Sequence, residues 1–389
     1  VIDLGLSTTP TVEVAVPELK AGGGIILTAS HNPKQWNALK LLNSKGEFLS
    51  AQNGEDLLRI AEGETPNYVQ IDKIGSYQQM EGFIDRHIDM ILALPMVDVE
   101  AIKARKFKVV VDAVNSTGGI AVPALLRKLG VDTIEEIFCT PDGKFPHNPE
   151  PLPEHLGAIS GEVKFKKADL GIVVDPDVDR LAIVCEDGSM FGEEYTLVAV
   201  ADYVLGQKLG ATVSNLSSSR ALRDITEKHG QTYHSSAVGE VNVVEKMKEV
   251  NAVIGGEGNG GIILAELHYG RDALVGIALF LTHLAKFGKT CSYLRETYPD
   301  YYIAKKKIQL EEGMDLDGLL AHIAQKYAAQ PQITIDGLKI EFDKEWVHLR
   351  RSNTEPIIRI YAESQSESTA NTLADKLISD IKELLSKTR

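Results

Sequence analysis

Four short stretches of this chain hold residues whose types and spacing could do chemistry. The first is Ala29-Ser30-His31-Asn32-Pro33, which follows a Gly-rich apolar run, Gly22 to Leu27, that reads as a short buried strand. A serine at a strand end before Asn-Pro is presented outward at a loop or helix start. Backbone N–H groups there favour an anion on the hydroxyl. Taken alone, Ser30 would be an ordinary N-cap residue.

The second is Asp175-Pro176-Asp177-Val178-Asp179-Arg180, with three carboxylates at alternate positions. Hard oxygen ligands converging in a tight loop suit Mg²⁺ or Ca²⁺. An EF-hand loop has similar spacing, and Glu186 stands at its twelfth position. Arg180 at the sixth position, where a glycine is needed, and β-like flanks argue against it. A metal-free acidic hairpin is the plainer alternative. Three carboxylates carry more charge than a dication cancels, so a phosphoryl oxygen with Arg180 as positive neighbour fits as a further ligand.

The third is Gly255-Gly256-Glu257-Gly258-Asn259-Gly260-Gly261, whose tail formally satisfies GxGxxG. Dinucleotide binding needs a helix directly after the glycines. Ile262 to Ala265 reads as strand, and Glu257 would face a pyrophosphate with the wrong sign. A Glu and an Asn on a thin glycine backbone suit vicinal sugar hydroxyls instead. The fourth is Arg350-Arg351-Ser352-Asn353-Thr354-Glu355-Pro356, with Arg359 beyond. Guanidinium forks, hydroxyls, an amide and backbone N–H groups together make an anion nest; a plain solvated turn is the alternative.

The elements around these loops are mostly α/β. A strand opens the chain, a helix runs from Ser7-Thr8-Thr9-Pro10 to about Leu19, and residues 62–82 read as linker. Phe83–Leu94 is an amphipathic helix. Strands are expected at Phe107–Val111, Leu170–Val174, Leu181–Cys185, Thr212–Leu216 and Ala252–Ile254, and helices at Ile120–Leu129, Ala221–His229 and Asn242–Glu249. From about residue 300 strands at Tyr301–Gln309, Lys339–Phe342, Trp346–Arg350 and Ile357–Ala362 precede a long amphipathic helix, Glu367–Leu385. That change of character marks a separate α+β unit. No short sequence repeat is visible.

The chain has 389 residues, a length that suits roughly two to four domains. A net charge of −14 argues against sequence-independent nucleic-acid binding, which wants a basic face. The three cysteines, Cys139, Cys185 and Cys291, are far apart and make no CxxC, which points to a reducing cytoplasm. No apolar run approaches the length of a membrane span. The chain opens inside a strand, so its first unit is expected to lack its initial segment.

Together the four loops resemble the α-D-phosphohexomutase family of phosphoglucomutases, phosphomannomutases and phosphoglucosamine mutases. The family's phosphoserine motif stands at Thr28–Pro33, its metal loop at Asp175–Arg180, its sugar loop at Gly256–Gly261 and its phosphate loop at Arg350–Pro356. The resemblance implies three related α/β domains, the first truncated at its N-terminus, and a C-terminal α+β domain. Their expected spans are 1–82, 83–190, 191–299 and 300–389. It implies that Ser30 is phosphorylated and that Asp175, Asp177 and Asp179 hold Mg²⁺ with an oxygen of that phosphoserine. Glu257 and Asn259 would contact sugar hydroxyls. Arg350, Ser352, Asn353, Thr354 and Arg359 would grip the non-reacting phosphate. His31, Lys40 and Arg180 would join the catalytic set, Lys40 in acid/base work.

Two departures stand out. Many members carry Ser and His in the sugar loop where this chain has Asn259 and Gly261, so another group must serve. The family's N-terminal Gly-Ile-Arg-Gly segment is not in this sequence. The implied activity is interconversion of hexose 6- and 1-phosphates through a 1,6-bisphosphate, with glucosamine phosphate favoured and glucose or mannose phosphate as the alternative. The expected enzyme is cytoplasmic and monomeric or homodimeric. A metal-dependent sugar phosphatase, an NAD-binding oxidoreductase and a calcium-binding module are the readings from other classes.

Overall fold

Strands form where apolar runs are uninterrupted, and helices where a cap residue precedes an apolar stripe. The computed structural model describes residues 1–63, 68–309, 316–352 and 356–387. The first unit contains β1 (Ile2–Asp3), α1 (Thr9–Glu18), β2 (Gly24–Leu27), β3 (Leu39–Leu42), α2 (Ala51–Gly63) and β4 (Gln78–Gln79). β2 and β3 are an antiparallel pair, and β1 pairs with β4 in parallel. The stretch read as linker therefore contributes a strand. β3, which carries Lys40, and α2 were not expected from the sequence.

The second unit runs through α3 (Phe83–Leu92), α4 (Val99–Arg105), β5 (Lys108–Asp112), α5 (Gly118–Lys128), β6 (Thr133–Ile137), α6 (Gly157–Lys166), β7 (Leu170–Val174) and β8 (Leu181–Cys185). Its sheet has the order β6-β5-β7-β8, with only β8 antiparallel. β7 and β8 are buried along their whole length, as continuous Val/Ile/Leu runs covered on both faces should be.

The third unit repeats this plan with α7 (Glu193–Gln207), β9 (Thr212–Asn215), α8 (Ala221–Lys228), β10 (Tyr233–Ser236), α9 (Glu240–Val250), β11 (Ile254–Glu257), β12 (Gly261–Leu264), α10 (Ala273–Phe287) and α11 (Cys291–Glu296). The strand order is β10-β9-β11-β12, again with only the last strand antiparallel. β11 begins where the sequence reading ended its strand, so Gly255, Gly256 and Glu257 lie in a strand and not in a loop. α10 is apolar on every side and buried accordingly. Its start is set by Asp272, whose Oδ1 accepts the N–H groups of Leu274 and Val275. One hydrophobic core runs unbroken from the second unit through α10 into the third.

The fourth unit is α+β: β13 (Tyr302–Gln309), α12 (Leu316–Lys326), β14 (Gln332–Ile333), β15 (Leu338–Glu341), β16 (Trp346–Arg351), β17 (Ile357–Ser364) and α13 (Glu367–Lys387). Its sheet is wholly antiparallel, in the order β13-β17-β16-β15-β14, with α12 and α13 sharing its separate core. Among the described residues no helix is long and apolar enough to cross a membrane.

Candidate active site

The first three units each place a working loop in the turn of an antiparallel hairpin. Ser30 lies between β2 and β3, the aspartates between β7 and β8, and Asn259 between β11 and β12. Ser30 has a φ of 50°, a left-handed conformation uncommon for a residue with a Cβ. Two of the loop's N–H groups are taken within it. The N–H of Ser30 donates to Thr28 Oγ1 and that of Asn32 to Ala29 O. A side chain supplies the hydroxyl's partner instead: Ser30 Oγ lies 3.2 Å from His31 Nδ1.

The far nitrogen of His31 fixes its tautomer. Arg180 Nη2 sits 3.1 Å from His31 Nε2, and a guanidinium only donates. Nε2 therefore accepts, and Nδ1 carries the hydrogen toward Ser30 Oγ. Burial and then the Arg180 charge hold the His31 pKa down to about 4, so the ring is neutral at pH 7. Arg180 Nη1 donates to Glu150 Oε1 at 3.0 Å.

The three aspartates are buried, and ligand oxygens of all three lie within 4.8 Å of one another. Each uses one oxygen within the protein. Asp175 Oδ1 accepts the N–H groups of Asp179 and Arg180. Asp177 Oδ2 accepts Thr9 Oγ1 and Lys40 Nζ, each at 2.6 Å. Asp179 Oδ2 accepts Lys40 Nζ at 2.9 Å and Arg271 Nη2 at 2.8 Å. The other oxygens, Asp175 Oδ2, Asp177 Oδ1 and Asp179 Oδ1, are buried with no hydrogen-bond partner. Three orphaned carboxylate oxygens converging from one loop fit a divalent cation that takes oxygen ligands. Burial and the neighbouring Asp179 and Asp177 charges push the Asp175 pKa well up. At Asp179, burial is outweighed by Arg271 and Lys40, which hold the carboxyl below its usual range. The EF-hand alternative fails: Glu186 turns away to the first turn of α11, where it accepts the Ser292 N–H and hydroxyl.

Lys40 projects from β3 onto Asp177 and Asp179. Burial opposes its charge, but these carboxylates outweigh it and hold the pKa above the ordinary lysine value. As an ammonium, Lys40 can give a proton but not take one. Ser30, Lys40, Gly239, Glu240, Asn242 and Arg271 share one cleft of about 480 Å³, a size suited to a small ligand. Ser30 and Asp177 also line a second cavity with Ser116 and Thr117.

Glu257 ends β11 and is buried. Its Oε1 accepts Asn215 Nδ2 at 2.8 Å and the Gly239 N–H at 3.3 Å, and its Oε2 accepts Arg271 Nη1 at 3.0 Å. Asn259 Oδ1 accepts the Gly261 N–H, closing the turn. Gly260 has a φ of +83°, and a Cβ there would stand 2.2 Å from Leu181 O, so only glycine lets this loop lie against the β7–β8 hairpin. The Leu181 N–H donates to Gly260 O across that contact. The glycines lead into antiparallel β12, which removes the dinucleotide reading.

On the fourth unit, Arg350 and Arg359 stand directly opposite each other across β16 and β17, hence on one face. Like charges so placed repel unless they share an anion. Arg359 Nη2 lies 3.5 Å from Ser352 Oγ, and Arg350 pairs with Asp336 at 2.9 Å. Asp336 also accepts the Val238 N–H, next to the Gly239 N–H that meets Glu257. This short chain ties the arginine loop to the cleft. Asn353 and Thr354 lie outside the described residues.

Sequence reasoning missed Thr9, Glu150, Asn215, Glu240 and above all Arg271. One signal was available for Arg271: it immediately precedes the Asp that caps a largely apolar, buried helix.

The comparisons with known proteins agree with this geometry. Profiles of the phosphoglucomutase/phosphomannomutase family match in order, with alpha/beta/alpha domain I over residues 1–67, domain II over 85–188, domain III over 192–301 and the C-terminal domain over 306–379. A phosphoglucomutase/phosphomannomutase of Thermococcus kodakarensis is 37% identical over 373 residues, 95% of this chain and 81% of the relative. A probable phosphoglucosamine mutase of Methanopyrus kandleri is 30% identical over 394 residues, 100% of this chain and 85% of the relative. The crystal structure of a family protein from Burkholderia thailandensis superposes with a TM-score of 0.83 at 25% identity, covering 98% of this chain and 82% of that one. With all four domain profiles matched in order and such relatives along nearly its whole length, the chain belongs to the phosphoglucomutase/phosphomannomutase family.

Proposed function

We propose that the protein interconverts the 6-phosphate and 1-phosphate of a hexose, with Ser30 carrying the phosphoryl group between the two positions. One observation carries this reading. Ser30, Lys40 and Arg271 share a cleft beside three carboxylates with spare oxygens, while an arginine pair is tied to the same cleft from another unit. A phosphatase would have no need of that second anion grip.

The step balances simply. A free hydroxyl of the bound sugar phosphate attacks the phosphorus on Ser30, a P–O bond to the sugar forms, and the bond to Ser30 Oγ breaks. The hydroxyl's proton ends on Ser30 Oγ. The resulting hexose 1,6-bisphosphate turns over in the cleft and returns its other phosphoryl group to Ser30; added bisphosphate would also prime an unphosphorylated enzyme. His31 Nδ1–H supports the departing serine oxygen, and charged Lys40 faces the negative oxygens in transit. Asp175, Asp177 and Asp179 would hold Mg²⁺, which supplies neutralising charge to the phosphoryl oxygens when bound. Arg350, Ser352 and Arg359, with Asn353 and Thr354, would grip the phosphate that is not reacting, and Glu257 and Asn259 would read hydroxyls.

Glucosamine phosphate is the favoured sugar, with glucose and mannose phosphates as the alternative; the two relatives above carry both kinds of name. A cytoplasmic setting suits the free cysteines, and a monomer or homodimer is expected. The test is parallel ³¹P NMR of glucosamine, glucose and mannose 6-phosphates with Mg²⁺ and a trace of bisphosphate. Appearance of the 1-phosphate supports the reading. Release of inorganic phosphate alone makes the protein a phosphatase, and no change in any sample refutes both.

A further inference from the structure

Arg271 is the most heavily engaged residue outside the four motifs. Each of its three guanidinium nitrogens meets a different carboxylate: Nε with Glu240 at 2.9 Å, Nη1 with Glu257 at 3.0 Å and Nη2 with Asp179 at 2.8 Å. Its backbone N–H also donates to Glu240, at 3.0 Å. These partners come from three places: Asp179 from the metal loop, Glu257 from the hydroxyl-reading hairpin, and Glu240 from the first turn of α9. All four residues are buried.

We propose that Arg271 is a positioning residue that couples sugar recognition at Glu257 to cation binding at Asp179. The proposal rests on the mutase reading above. A guanidinium is planar and rigid, so its nitrogens cannot follow their partners independently. Glu257 Oε1 is already held by Asn215 and Gly239, so a shift of Glu257 toward a ligand pulls on Arg271 through Oε2. Asp179 Oδ2 is held by the same group and by Lys40, and this leaves Oδ1 for a metal. Movement at one carboxylate is therefore transmitted to the other through a single side chain, which itself lines the cleft with Ser30 and Lys40.

The neighbouring glycine is part of the device. A Cβ on Gly261 would lie 2.3 Å from Arg271 Cδ and 3.0 Å from its Cγ. The stem of Arg271 thus runs through the space a side chain at 261 would fill. The bare loop noted in the sequence is what admits a cation from the start of α10 to the back of the sugar-reading hairpin.

The test is calorimetric titration of the full chain with Mg²⁺, alone and at saturating glucosamine, glucose or mannose 6-phosphate. In the wild type at least one sugar phosphate should change the Mg²⁺ affinity fivefold or more, a coupling of ordinary size. Arg271→Lys keeps the charge but cannot span three partners. The coupling, read as the ratio of Mg²⁺ affinities with and without sugar phosphate, should fall to within about twofold of none whatever the separate affinities. Gly261→Ala displaces the stem without removing any charge, and it should lose coupling in the same way should Arg271→Lys fail to fold. Full coupling in either folded variant, or no coupling in a wild type that binds both ligands, overturns the proposal. A wild type that binds Mg²⁺ but none of the three sugar phosphates refutes the mutase reading, and the proposal falls with it.

Discussion

The three hairpins that carry the working loops share one plan but differ in support. β7–β8 and β11–β12 are each backed by a parallel strand, β5 or β9, and every residue in them is buried. Among the described residues β2 pairs only with β3, and Ile25, Leu27 and Leu39 are largely exposed, Leu27 by 78%. The aspartates and Glu257 therefore ride on buried sheet, and Ser30 rides on a hairpin packed, among the described residues, through Ile26 and Leu42 against Val16 of α1. Like-charged ligands must be held at fixed separations against their repulsion, and that needs a buried frame. Contacts from the other side also fix the first hairpin: His31 reaches Arg180, and Lys40 reaches Asp177 and Asp179.

The contrast is most exposed to test where support is weakest. Ser30→Ala should lower mutase turnover by orders of magnitude, since loss of the covalent carrier removes the pathway and not one contact. The melting temperature should barely move, and steady-state assay beside thermal unfolding reads both. A large loss of stability would mean that the first hairpin is not the loosely held one. Asp177→Asn should cost about 10²–10³ in turnover. It should also weaken Mg²⁺ binding by calorimetry, because it disturbs the oxygen left for a metal and the partner of Thr9 and Lys40. Wild-type Mg²⁺ affinity in that variant would remove the buried frame's stated purpose.

A matched pair addresses packing alone. Ile183→Ala, in the middle of β8, should destabilise by about 2–5 kcal/mol, and Leu27→Ala on exposed β2 should stay within about 0.5 kcal/mol. Urea titration of the two variants measures the gap, and equal losses would erase the contrast. A smaller effect follows from Glu194, whose carboxyl lies under the sugar hairpin, 2.0 Å from where a Gly258 Cβ would stand. Burial, only partly offset by the Ser219 N–H, pushes its pKa up to about 8. The folded state thus keeps this proton after the unfolded chain has lost it. The contribution is complete below about pH 4.5 and is lost as pH rises through about 8. Glu194→Gln should flatten that slope between these limits. An unchanged pH profile of urea unfolding would contradict it.

How much of this was legible in the sequence depended on distance along the chain. β7 and β8 were placed to the residue, because two continuous apolar runs flank an Asp-Pro turn. The strands and last helix of the fourth unit were nearly as clear from their alternation and 3.6-residue period. α10 escaped because a helix apolar on every side shows no period. β3 escaped because only four residues of it pair, after a polar loop. The four loops were visible as local patterns, but what holds them was not. Lys40 lies 137 residues from Asp177 and Arg271 lies 92 from Asp179. No spacing rule within a motif reports such contacts. Nor does the motif report that the loop's own Thr28 hydroxyl and Ala29 carbonyl take the Ser30 and Asn32 N–H groups.

α1 has a consequence for how the chain comes together in time. Thr9 grips Asp177 through both its backbone N–H and its hydroxyl. Two residues on, Thr11 Oγ1 meets His87 Nδ1 at 3.0 Å, and Glu13 faces His268 Nδ1 at 3.3 Å. His87 and His268 in turn share Asp272, the residue that caps α10. Among the described residues, these polar partners all lie far along the chain from the helix. Such distant closures carry a large entropic cost until the partners are already in place. This helix is therefore among the later segments to settle. The carboxylates come into register with Lys40 only once the first unit has closed onto the β7–β8 hairpin.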